Sequence, residues 1–186
     1  MKQLLLLVSC LVFFSGAAYA DPIVEIKTSL GAIQIELNSD KAPQTVKNFL
    51  HYVDQKFYDD TIYHRVIGKF MIQGGGFDKW GKRKKTFAPI KNEAANGLKN
   101  LKGSIAMART GVVDSATSQF FINLVDNGTL DHRGNTPRAF GYAVFGRVIA
   151  GMDIVEKIGS VKTIAKSSLF RNYPEPQIII ESIRRL

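Results

Sequence analysis

The feature that most constrains this chain is how briefly its apolar runs last. Ile23 to Thr28, Ala32 to Leu37, Ile62 to Ile67, Phe70 to Gln73, Ser104 to Ala108, Gln119 to Val125, Ala143 to Val148 and Gln177 to Ile183 are eight runs of at most seven residues. Glycine-rich breaks such as Gly74-Gly75-Gly76 and Gly81 separate several of them. In the second run Ile33, Ile35 and Leu37 share one face and Gln34 and Glu36 the other, which is strand periodicity. Many short strands with frequent turns predict a mainly β domain, either a closed barrel or a sandwich. Two helices interrupt the pattern. Val46, Phe49, Leu50 and Val53 form an apolar stripe after Pro43, with Asp40 and Pro43 as start signals. Met152 to Ile158 follows Gly151, with Gly159 as a stop. The chain carries no internal repeat or linker, so one domain is expected.

Residues 1–20 stand apart. Lys2 precedes an apolar run from Leu4 to Phe14, and Ala18-Tyr19-Ala20 has the small-x-small form of a signal-peptidase site. The expectation is cleavage after Ala20, leaving a domain of residues 21–186 beginning at Asp21, in the periplasm or secreted. The alternatives are a buried helix, a membrane anchor, or lipid attachment at Cys10. The run is short for a span, and it continues past Cys10, against the lipid reading. Without Cys10, the only cysteine, the exported domain must be held by packing alone. The net charge of +9, less Lys2, leaves about +8, concentrated partly in Lys79-Trp80-Gly81-Lys82-Arg83-Lys84-Lys85. Such a run is read here as a solvated loop. Attraction to anionic surfaces or acidic clients is the second reading, and nucleic acid is not an expected partner.

Several familiar chemistries fail on local grounds. The glycine triplet has no following Lys-Ser/Thr and opens no helix, so it is not a phosphate loop. His51 reads as structural; His64 and His132 lack a third ligand at metal spacing, and Ser104, Ser115 and Ser118 lie in no nucleophile elbow. Asn127-Gly128-Thr129 is both a glycosylation sequon and a turn signal, and the turn is preferred.

Two longer constellations remain: Tyr63 to Phe77, and Gly103 to Arg109 followed by Ser115 to Ile122. Alternation places Met71 with Gln73 on one face, and Gln119 with Phe121 on one face. A face bearing both amides and large apolar groups suits a peptide-gripping groove, and equally a half-buried sheet surface.

These stretches, with Tyr142 to Val148, closely resemble the signature blocks of the cyclophilin family, and the similarity runs from about Ile23 to Ile183. Ile90 to Ala94 and Asp131-His132 resemble its periplasmic bacterial branch. The resemblance implies an eight-stranded antiparallel barrel capped by two helices, with the site on an outer face. It implies a peptidyl-prolyl cis-trans isomerase that needs no cofactor or metal, is monomeric, and acts on extended proline-containing polypeptides as a folding catalyst or chaperone. By resemblance Arg65 is the catalytic arginine, and Phe70, Met71 and Phe121 form the proline pocket. Gln73 and Gln119 are groove polar groups, Ala108 and Arg109 contact substrate backbone, Leu130 is a pocket wall, and Tyr142 borders the groove. Three positions depart from many eukaryotic members: Thr129 replaces a tryptophan, Tyr142 a histidine, and Arg109 an asparagine. The competing classes are a chaperone or proline-peptide binding module with little turnover and a basic structural protein that binds envelope polymers or nucleic acid. Retention of Arg65 argues against the first.

Overall fold

The computed structural model describes residues 21–186; the signal-peptide, cleavage and Cys10 readings concern residues 1–20 and lie outside them. Strands β1 (Ile23–Thr28), β2 (Gly31–Leu37), β3 (Thr61–Ile67), β4 (Met71–Asp78), β5 (Ser104–Met107), β6 (Phe120–Asn123), β7 (Val144–Ala150) and β10 (Ile178–Arg185) close an antiparallel barrel. Their order around it is β1-β10-β3-β4-β6-β5-β7-β2. The expected eight-stranded barrel is therefore present. A small pair, β8 (Thr163–Ile164) with β9 (Tyr173–Pro174), is additional and carried too little pattern to be read from sequence.

Period-2 burial builds the interior. Val24 and Ile26 of β1 and Ile33, Ile35 and Leu37 of β2 are fully buried, while β1 also pairs with the last strand, so the two ends of the domain close the barrel. In β10 the buried positions are Ile178, Ile180 and Ile183. The break in alternation coincides with a bulge, because Lys27 pairs with Ser182 whereas Thr28 pairs with Ile180. The extra residue, Glu181, restores the inward phase that a one-residue slip would lose.

Helix α1 (Pro43–Asp54) buries the predicted stripe of Val46, Phe49, Leu50 and Val53. Phe49 reaches barrel aromatics, its ring 5.7 Å from Phe120 and 5.2 Å from Phe145. The expected start signal at Asp40 is corrected. Ala42 occupies the cap position and provides no side-chain bond. The Glu93 carboxylate, from a distant loop, instead accepts the N–H groups of Gln44 (3.1 Å) and Thr45 (2.8 Å) and the Thr45 hydroxyl (2.7 Å). A remote anion thus meets the first-turn donors that have no intrahelical partner. Helix α2 (Met152–Gly159) runs through Gly159 instead of stopping before it. That glycine makes room for Leu124, whose Cδ1 lies 2.6 Å from where a Cβ would stand.

Candidate active site

A second apolar cluster lies outside the barrel interior. Met71, Ala106, Phe121 and Val144 are buried there, with Ile67, Phe70, Leu98, Ala108, Leu130 and Tyr142 packed around them. Register explains the grouping. Gln73 pairs with Phe121 and Met71 with Asn123 across β4 and β6, and Phe121 pairs with Ala106 across β6 and β5. Ile72, Phe120 and Ile122 point into the interior core, so their neighbours Met71, Gln73 and Phe121 point outward.

On this outer face Arg65, Phe70, Met71, Gln73, Ala108, Arg109, Phe121, Leu130 and Tyr142 line a pocket of about 100 Å³. Nine of the ten residues named from sequence therefore converge. The tenth, Gln119, is joined through hydrogen bonds: Arg65 Nη1 donates to Gln73 Oε1 (3.2 Å), and Gln73 Nε2 donates to Gln119 Oε1 (2.9 Å). The guanidinium can only donate, which fixes the polarity of the chain. Each amide turns its oxygen toward the arginine side, leaving Gln119 Nε2 as the outward donor. A larger depression of about 640 Å³, edged by Asp21, Glu36, Lys102 and Arg147, includes none of these residues.

The glycine triplet makes this chain of amides fit. Gly75 has φ +79°, and a Cβ there would lie 2.9 Å from the Tyr58 ring and 3.0 Å from the Ser118 carbonyl. A Cβ on Gly76 would stand 2.6 Å from the Gln119 side chain. The triplet is a bulged segment of β4 that lets Gln119 cross close above the strand.

Two asparagine-rich loops set the pocket walls. Asn127 Nδ2 donates to the Phe70 carbonyl (2.8 Å) and to Asn123 Oδ1 (2.7 Å), while Leu130 N–H donates to the Asn127 carbonyl (2.8 Å). One residue thereby holds both walls, Phe70 through its side-chain amide and Leu130 through its backbone carbonyl. Its amide is 8% exposed as a residue and doubly bonded, so the turn reading of Asn127 holds over the sequon reading. Leu98, Ala106 and Val144 were not singled out from sequence. Ala106 carries a faint signal, a small side chain at the outward position between inward Ile105 and Met107.

The three departures resolve into two kinds. Arg109 and Tyr142 form one unit, the guanidinium carbon 4.9 Å from the phenol ring, and that ring packs edge-on to Phe121 at 5.6 Å. Arg109 also donates to the carbonyls of Gly141 (2.9 Å), Thr110 (3.0 Å) and Pro137 (2.7 Å). Thr129 is exposed and outside the pocket lining, engaged only through its carbonyl by Arg133.

His64 neighbours Arg65 but sits against a third cluster, its ring 4.7 Å from Phe77. Its Nδ1 has no partner, and burial, reinforced by Arg65 and Arg83, pushes its pKa down to about 4. Among the described residues no group of three His, Cys, Asp or Glu side chains is arranged to hold a metal ion.

A closed eight-stranded antiparallel barrel with an outward apolar pocket bordered by Arg65 and Arg109 is an architecture of cyclophilin type. The sequence matches the family described as cyclophilin type peptidyl-prolyl cis-trans isomerase/CLD over residues 23–185. It is 54% identical over 171 residues to a peptidyl-prolyl cis-trans isomerase of Acinetobacter baylyi, covering 91% of this chain and 88% of that one. It is 52% identical to peptidyl-prolyl cis-trans isomerase B of Escherichia coli over 87% of this chain and 98% of the relative. The crystal structure of a Cryptosporidium parvum cyclophilin type isomerase superposes with a TM-score of 0.73 at 27% identity, covering 89% of this chain and 98% of that one. The chain belongs to the cyclophilin-type family and is a peptidyl-prolyl cis-trans isomerase.

Proposed function

We propose that Arg65 drives the isomerisation by binding the twisted X–Pro amide more strongly than the planar one. The carrying observation is the Arg65 guanidinium at the rim of an apolar pocket, bonded among the described residues to Gln73, whereas the pocket's other arginine, Arg109, is held by three backbone carbonyls. Resonance in the planar amide sets a barrier of roughly 18–20 kcal/mol, and rotation breaks no bond. As the amide twists, the prolyl nitrogen becomes pyramidal and regains a lone pair. A donor aimed at that lone pair stabilises the transition state preferentially, which is the requirement for catalysis. Phe70, Met71, Phe121 and Leu130 receive the proline ring and thin the water around the guanidinium, strengthening its field. The free donor on Gln119 and the Arg65–Gln73–Gln119 chain orient the flanking peptide. A structure of the Cryptosporidium parvum isomerase determined in the presence of the dipeptide Ala-Pro supports a proline-containing ligand here.

The signal-like residues 1–20 support a setting outside the cytoplasm, where a monomeric enzyme assists the folding of exported chains. X–Pro isomerisation takes tens to hundreds of seconds unaided, so it limits folding there. The test is turnover on a short Ala-Pro peptide by wild type and Arg65→Ala. The variant is expected to lose at least about tenfold in kcat/KM, or about 1.4 kcal/mol, while keeping its thermal midpoint. Near-normal turnover by the folded variant removes the mechanism. Intact mass of protein exported from a host cell tests the setting, with Asp21 expected first.

A further inference from the structure

The basic run Lys79 to Lys85 is a built turn with a tryptophan at its tip. Asp78 Oδ1 accepts the N–H groups of Trp80 (3.0 Å) and Lys82 (2.9 Å), the Asp78 carbonyl accepts Gly81 N–H (2.8 Å), and Asp78 N–H donates to the Lys82 carbonyl (3.0 Å). Gly81, at φ +82°, closes the turn over Phe170. Inward anchoring comes from Arg83 over the Phe77 ring (5.1 Å) and Lys84 over the Phe57 ring (4.6 Å). Trp80 is left 79% exposed, with Lys79 Nζ 5.1 Å from its ring centroid. Lys82 and Lys85 are exposed and enter no ion pair among the described residues. Leu169, next to the Phe170 on which the turn rests, is a second exposed apolar group at 57%.

An indole carried into solvent on a hydrogen-bonded turn is apolar area that folding has left uncovered. With Lys79 paired to Asp60 (3.3 Å), the cations left beside it are Lys82 and Lys85, and these disfavour a basic or purely apolar partner. We propose that this turn is a docking finger for anionic lipid surfaces, with Trp80 entering the headgroup layer and Lys82 and Lys85 facing the lipid charges. Tryptophan partitions to that layer because it is apolar in body and polar at its N–H, and cations near an anionic leaflet add attraction. Among the described residues no helix is long and apolar enough to cross a membrane. The turn packs back on Gly76, whose carbonyl accepts Lys84 N–H (3.1 Å) and which abuts Gln119, so docking would hold the proline groove near the lipid surface.

Trp80 is the chain's only tryptophan, so its emission reports the contact directly. The protein recovered from an exporting host is titrated with vesicles of phosphatidylglycerol and phosphatidylcholine, with phosphatidylcholine alone, and with polyglutamate. The expected result is a blue shift and sedimentation with the anionic vesicles only, both reversed by high salt. Lys82→Gln/Lys85→Gln should lower partitioning about 30-fold, from about 1 kcal/mol per cation, with short-peptide isomerisation unchanged. Trp80→Ala should also weaken sedimentation. Absence of a shift on anionic vesicles overturns the proposal. So does equal binding by the double variant, or a shift with polyglutamate as large as with vesicles, which would assign the turn to acidic polypeptides.

Discussion

Arg65 and Arg109 both border the proline pocket, but their guanidinium groups are committed differently. Arg109 is spent on three backbone carbonyls and a phenol face, whereas Arg65 is bonded, among the described residues, only to the Gln73 amide. The first is a clamp on the Pro137–Tyr142 segment, and the second is the donor proposed above to act on substrate. Gly141 belongs to the same clamp, because a Cβ at its φ of +79° would fall 2.6 Å from the Asp131 carbonyl carbon. Arg109→Ala is expected to raise KM severalfold with a smaller fall in kcat, because the pocket wall loosens while the donor stays in place. Arg109→Lys should recover little, since one ammonium cannot reproduce the guanidinium's bonds to three separate carbonyls together with its stacking on the phenol ring. Steady-state kinetics at several peptide concentrations separate the two parameters. A loss of kcat alone would make Arg109 part of the chemistry instead. The Arg109 and Tyr142 departures from the eukaryotic pattern are then one coupled exchange, visible in sequence only as two separate oddities.

At the scale of elements, α1 depends on a carboxylate far from it in sequence. Glu93→Ala removes the acceptor for two N–H groups and one hydroxyl, and should cost about 1–2 kcal/mol, or several degrees in Tm. Asp40→Asn should be neutral, since Asp40 provides no cap. Thermal unfolding of both variants checks the assignment, and equal losses would return the start signal to Asp40. The contrast also shows what sequence can carry. The apolar stripe of α1 and the alternation of β2 are local periodicities, and both are found as expected. The cap joins positions 48 residues apart, and no local pattern encodes such a contact. The outward phase of Met71, Gln73 and Phe121 was legible by alternation, but the groove and the half-buried sheet surface look identical at that level. The resemblance to cyclophilins separated them, and the register of β4 on β6 shows why the two amides meet. The reason for the glycine triplet was illegible, because it lies in the side chain of Gln119, which only the fold brings above it.

For the molecule as a whole, the exposed side of β3 is sealed by a late segment: Phe170 and Tyr173, with β8 and β9, cover Ile62 and Phe77. His64 is caught beneath this cover, 6% exposed, its Nδ1 without a partner and the cations of Arg65 and Arg83 beside it. Burial first, and those cations second, hold its folded pKa near 4, against 6.5 for the free group. Between these values the unfolded chain binds a proton that the folded chain refuses, so stability falls as pH falls. The contribution is intact above about pH 6.5, declines through the interval, and levels off below about pH 4. Its full size is on the order of 3 kcal/mol, from about 1.4 kcal/mol per pKa unit. The carboxylate of Asp54, lowered by its bond to Arg185, works in a separate window, losing its contribution only below its ordinary value of 3.8. Denaturant unfolding at pH 7 and pH 4.5 should therefore show a loss of about 2–3 kcal/mol in wild type that is largely absent in His64→Phe. Phenylalanine keeps the edge contact with Phe77 and removes the unpartnered nitrogen, so the variant should be at least as stable as wild type at pH 7. An equal pH dependence in the two proteins would mean that the segment carrying Phe170 opens readily enough to hydrate the imidazole, and the cover would then be a mobile flap instead of a seal.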